Sequence, residues 1–164
     1  MAPLPRLTVS LPGAGALFTG TNPRLDLVVR STGVYRNAAI DPANAWNRTS
    51  APVTFAEATS GANVETWTVS TSEDYWGTII DQGCYAPNTW RRTVQVHFNS
   101  RIMDGFSGHE RKLVAIHELG HTVGLDHTTM ECGRPSVMAQ GRGKFGCPGT
   151  APWADDVRGV QNIY

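Results

Sequence analysis

The chain reads His117-Glu118-Leu119-Gly120-His121-Thr122-Val123-Gly124-Leu125-Asp126-His127 at the centre of a stretch from Ser107 to Met138. His117 and His121 are four residues apart, so on an α-helix they stand one turn above each other on one face. That spacing lets one metal ion take both imidazoles. Glu118 lies one step round the helix, where it can hold a metal-bound water without being a ligand. Gly124 frees the backbone for the positive φ that ends a helix, and His127 can then return as a third nitrogen ligand. Three protein ligands leave one position open, as in a catalytic zinc site rather than a structural one.

Working outward, Ser107 followed by Glu110 forms a capping box. The metal helix is therefore predicted from about Gly108 to Val123. Val94 to Asn99 is the clearest strand, with Val94, Val96 and Phe98 on one face and Gln95, His97 and Asn99 on the other. Leu25–Arg30, Val53–Glu57, Val64–Ser70 and Tyr75–Asp81 also read as strands. Tyr35–Asn47 is a helix candidate complicated by Pro42. Either Asp41 caps a short helix with Pro42 at its first position, or a longer helix is kinked there. A last helix starts near Ala154, with Val157, Val160 and Tyr164 as its inward stripe.

The eleven residues from His117 to His127 match the metzincin signature HExxHxxGxxH, and Met138 in Ser136-Val137-Met138 stands where that clan has its Met-turn. The wording of the motif, with Asp155-Asp156-Val157 and Gly159 to Tyr164, resembles the matrixins most closely. The segment around Met138, with Cys132 and Cys147, is similar to the small secreted snapalysins. The resemblance is specific from about residue 105 onward and loose before it.

That resemblance implies an α+β, zincin-like fold: a twisted mixed sheet with two or three helices, the metal helix as its floor. One catalytic domain would span 1–164, its upper part about 1–126 and its lower part about 127–164. It favours the longer first helix. Met138 would form an apolar floor under the metal histidines, a role that suits a flexible thioether. Asp156 would hydrogen-bond the Met-turn, and Asp155 matches the aspartate that receives a matrixin's mature N-terminus. Val94–Asn99, including Val94, Gln95 and Val96, would be the edge strand on the upper rim. An extended peptide would add to it as a further strand. The loop from Ala139 to Phe145, with Lys144 and Phe145, would line the pocket for the residue after the scissile bond. Cys132 and Cys147 are expected to pair, leaving Cys84 a free thiol, while pairings through Cys84 remain open.

The resemblance also marks departures. Outside the motif the histidines are His97 and His109, too few for a matrixin structural zinc, so none is expected. Gln140 stands where some metzincins carry a tyrosine that assists the metal. Cys84 lacks the cysteine-switch sequence around it. Calcium is considered through Glu73, Asp74, Asp81 and Asp104 but not favoured, because no EF-hand-like ligand spacing is present.

The whole chain fits this frame. It has 164 residues, a size suited to one domain. Formal net charge is +0, from 14 basic and 14 acidic residues, and no basic stripe argues for nucleic acid or a membrane surface. The longest apolar runs, such as Leu113–Ile116, are far short of a membrane span. Met1-Ala2-Pro3-Leu4-Pro5 has no apolar signal-peptide core, which suggests an expression start on a mature fragment. The expected function is a secreted, extracellular, monomeric zinc endopeptidase acting on proteins or peptides. Glu118 would be its general base toward a zinc-bound water held at His117, His121 and His127. The competing expectation is a zinc-retaining binding or adhesion module of the same fold without turnover, in which Glu118 would have no purpose.

Overall fold

The computed structural model describes residues 18–81, 84–85, 89–90, 92–129 and 135–164. Five strands form one mixed sheet in the order β2-β1-β3-β7-β4. They are β1 (Arg24–Val29), β2 (Thr54–Glu57), β3 (Val64–Val69), β4 (Gly77–Ile80) and β7 (Val94–Asn99). The first four in that order run parallel, and β4 closes the sheet antiparallel to β7, with Gly77 opposite Phe98 and Ile80 opposite Gln95. Between β4 and β7 lies a small hairpin, β5 (Cys84–Tyr85) and β6 (Thr89–Trp90).

Two helices cover one face of the sheet. In α1 (Val34–Asn47), Pro42 stands inside a continuous helix. The longer-helix alternative therefore holds, although Pro42 removes one backbone donor from the ladder. Ala38, Ala39, Ala43 and Ala45 are buried along α1. Such small side chains let it approach α3 (Gly108–Thr122) closely, and the buried Trp46 indole N–H reaches the Ile116 carbonyl of α3 at 3.1 Å. The Ser107–Glu110 capping box is formed in both directions at the start of α3. At its other end the Thr122 carbonyl has no intrahelical partner. The Trp90 indole N–H of β6 supplies one at 2.9 Å.

The remaining elements are α2 (Ser100–Met103), a 3-10 helix at Arg142–Gly146 and α4 (Ala154–Ile163). Neither α2 nor the 3-10 helix is foreseen from hydrophobic period, because both are too short to show one.

The sequence-based expectation that β7 is the edge strand is corrected by the pairing. β7 lies between β3 and β4, and the edge is β4. The burial of Val94, Val96 and Phe98 reports the face that β7 turns to the core, not its neighbours. Those are set by the ladder, in which Val96 is opposite Thr66 on one side and Ile79 on the other. The edge strand is short, Gly-Thr-Ile-Ile, and no residue in it is fully buried, as exposed edges commonly are.

Candidate metal centre and cleft

The turn that follows α3 brings His127 back to the helix. Gly124 takes φ +90°, and the Leu125 amide returns to the Gly120 carbonyl at 3.0 Å. As a result the Nε2 atoms of His117, His121 and His127 converge, with separations of 3.0, 3.1 and 3.2 Å.

The fit of this cluster to a metal follows from its proton inventory. His117 Nδ1 lies 2.8 Å from the Val137 carbonyl and His121 Nδ1 lies 2.8 Å from the Leu125 carbonyl. A carbonyl only accepts, so each Nδ1 carries the proton and each Nε2 presents a lone pair. Burial also pushes all three imidazoles toward the neutral form, His121 to about 4 and His117 well below its usual value, with Lys144 and the neighbouring imidazoles adding to the effect on His117. The lone pairs of His117 and His121 face each other at 3.0 Å, and His127 Nε2 stands within 3.2 Å of both, an arrangement that suits a cation. The second nitrogens of His117 and His121 are held by backbone carbonyls, the usual way such ligands are oriented. No other group of three or more His, Cys, Asp or Glu side chains among the described residues comes together in this way.

Glu118 is 5 % exposed beside this cluster. Burial pushes its carboxyl up to about 8, with the Lys144 ammonium pulling the other way. Above it runs the edge strand. A Cβ on Gly77 would stand 2.6 Å from Glu118 Cγ, so the strand passes over the carboxylate only because position 77 carries no side chain.

Met138 lies under α3. A Cβ at Gly120 would come within 2.5 Å of its sulfur, so Gly120 is the hollow into which the thioether packs. Asp156 of α4 holds the turn from below. Its carboxylate accepts from Ser136 Oγ at 2.5 Å, from the Val137 amide at 3.0 Å and from the Trp153 amide at 2.9 Å. Val137 is also the residue whose carbonyl orients His117, so Asp156 acts on the metal centre through one backbone unit. Asp156→Ala is expected to destabilise the fold by about 3 kcal/mol, because buried donors lose a charged acceptor. Urea unfolding reads this directly, and a change under about 0.5 kcal/mol, the scale of an ordinary surface substitution, would refute it. Asp155 pairs with Arg158 at 2.6 Å on the surface of α4, and the N-terminus it was matched to lies outside the described residues.

The histidines and Glu118 open into a cavity of about 480 Å³. Its upper wall is Asp74 to Ile79 with Asp81, and its lower wall is Gln140, Gly141 and Lys144. Of the residues expected in the cleft, Lys144 lines it. Val94, Gln95 and Val96 do not, because β4 stands between them and the opening. Phe145 does not either. Its ring stacks on Trp76 at 5.3 Å and meets Phe106 edge-on at 5.5 Å, behind the wall. Cys132 lies outside the described residues, as do the side chain of Cys84 and most of the loop around it. Cys147 is half-buried and unbridged among the described residues.

Two positioning residues went unrecognised in the sequence. Trp90 caps α3, as described above. Asn99, fully buried at the end of β7, accepts from the Thr71 amide and directs its own amide group at the carbonyls of Thr71, Glu73 and Tyr75. It thereby pins the loop that leads into β4 and so sets the upper wall. An asparagine at a strand end is the local signal, but its partners are more than twenty residues away.

The family model for matrixins matches residues 62–164, which hold the sheet's β3, β4 and β7, the metal helix, the Met-turn and α4. No curated protein matches the chain. With the match extending over more than half its length and the three histidines of the motif drawn to one point, the chain belongs to the matrixin family of zinc-dependent metalloproteases and has the α+β metzincin fold.

Proposed function

We propose that this chain is a zinc-dependent endopeptidase with Glu118 as general base, holding one catalytic zinc at His117, His121 and His127. The observation that carries the reading is the juxtaposition of three converging Nε2 atoms with a buried carboxylate in one cavity. Zinc bound there supplies Lewis-acid polarisation of a carbonyl and an activated water. The chain's own residues do the rest. Glu118, whose proton affinity is raised by burial, takes the proton of the attacking water and passes it to the leaving amine. The exposed edge of β4 offers main-chain groups to an extended peptide, which can add as a sixth strand. The absence of a side chain at Gly77 lets that strand sit directly over Glu118.

Digestion of casein by the zinc-loaded protein tests the reading. Cleavage should stop on chelation and return with zinc. A folded protein that binds zinc but leaves casein and a random peptide library intact would overturn it in favour of the non-catalytic module. We extend the proposal to a monomer acting outside the cell, as the likeness to small secreted enzymes suggests. Finding the protein retained inside its producing cells would remove that extension.

A further inference from the structure

Lys144 is left without a task by the proposed chemistry. Its side chain is 2 % exposed, yet it lines the same cavity as His117 and Glu118. The Nζ atom donates to the Ala139 carbonyl at 2.7 Å. It also lies 3.2 Å from His117 Nδ1. That nitrogen already directs its proton at the Val137 carbonyl, so the two donors face each other and form no bond. Among the described residues no ion pair joins Lys144 to a carboxylate. Glu118 and Asp156 attract the ammonium from a distance, but neither is within ion-pair reach of it, and Asp156 is taken up by the Met-turn.

An ammonium removed from water keeps its charge at a high free-energy cost unless an anion pairs with it. Here one carbonyl serves three ammonium protons, and among the described residues the remaining two have no acceptor. The Lys144 side chain is part of the cavity lining. An entering group that brings a negative oxygen would form a charge-assisted bond in a water-poor pocket, where such bonds are strongest. An apolar group would leave the charge both buried and unpaired.

We propose that Lys144 is the specificity-determining residue of the cleft, taking a carboxylate from the substrate residue that follows the scissile bond. The proposal rests on the endopeptidase reading above. Two sources carry that chemistry: the side chain of an aspartate or glutamate, and the α-carboxylate of a chain that ends just there.

The test uses the zinc-loaded full chain and peptides that differ only at the residue after the cleaved bond. Asp and Glu are expected to exceed Asn and Gln by about tenfold or more in kcat/KM, roughly the value of one charge-assisted bond. In Lys144→Met that ratio should fall to about one. Peptides ending at this residue, as free acid or amide, separate the two sources. A preference confined to the free acid assigns the α-carboxylate. Equal rates for acidic and amide side chains together with equal rates for free and amidated ends overturn the proposal. So does a ratio unchanged in Lys144→Met, even if that variant melts lower, since Lys144 would then only brace Ala139. If no peptide is cleaved, the endopeptidase reading fails by itself. Binding of the Asp and Asn peptides to zinc-loaded Glu118→Ala then decides the role of Lys144, with equal affinities counting against it. If Lys144→Met does not fold, the wild-type preferences decide.

Discussion

Glu118→Gln is expected to lower kcat by about 10² to 10⁴, the range for losing a positioned general base, while zinc content and fold remain. The substitution keeps the length and shape that fit beneath Gly77, where a Cβ would come within 2.8 Å of Glu118 Oε1. It removes the group that accepts a proton and leaves the three imidazoles in place. Stability should not fall, because the wild-type carboxylate is buried and its ionised form disfavoured. Turnover within tenfold of wild type in a zinc-loaded Glu118→Gln protein would falsify the assignment. A loss of zinc would show instead that Glu118 shapes the metal site rather than the proton transfer.

The same variant isolates a second large effect, the acid sensitivity of the metal-free centre. Burial lowers the His121 imidazole from 6.5 to about 4 and lowers that of His117 in the same direction. Above pH 6.5 both the folded and unfolded chains hold these rings neutral, and they contribute no pH dependence. As the pH falls below 6.5 the unfolded chain binds protons that the fold excludes, so stability falls with pH until the folded value is reached. In wild type Glu118 opposes this. Its raised carboxyl binds a proton in the fold below about 8, which stabilises the fold as the pH falls. Glu118→Gln deletes that opposition.

Chelated Glu118→Gln is therefore expected to lose about 2 kcal/mol between pH 7 and pH 5 from His121 alone, at about 1.4 kcal/mol per pH unit. His117 adds to the loss in the same direction. Zinc, which binds the neutral rings, should remove most of the dependence while it stays bound. Urea melts at the two pH values, with chelator and with zinc, measure both. A chelated variant equally stable at pH 7 and pH 5 would show that the three rings are not held neutral by the fold.

Much of this centre was legible in the amino-acid sequence because its signals are local. The four-residue spacing of His117 and His121 uses the period of a single helix. The capping box spans four residues, and Gly124 marks a backbone turn at its own position. The alternation of Val94, Val96 and Phe98 identifies a strand without reference to any partner. The same alternation cannot say who the partners are. A period of two reports which face of a strand is buried, whereas the order of strands is set by contacts between distant segments. For that reason β7 reads as well as any strand in the chain, yet its place inside the sheet, with β4 at the edge, emerged only from tertiary pairing.

The cleft walls follow the same division. Phe145 and Lys144 are neighbours in a glycine-rich loop, and nothing local separates a wall residue from one behind it. The 3-10 turn at Arg142–Gly146 sends Lys144 inward to the Ala139 carbonyl and Phe145 onto Trp76 and Phe106. Trp90 and Asn99 satisfy carbonyls that lie 32 residues away in one case and 24 to 28 in the other. The sequence by itself singled out the three histidines, the glutamate beside them and the helix that presents them, because helical geometry places residues a turn apart on one face whatever surrounds them. The tertiary structure alone decided which strand borders the cleft and which cation lines it, because both depend on where distant parts of the chain are brought together.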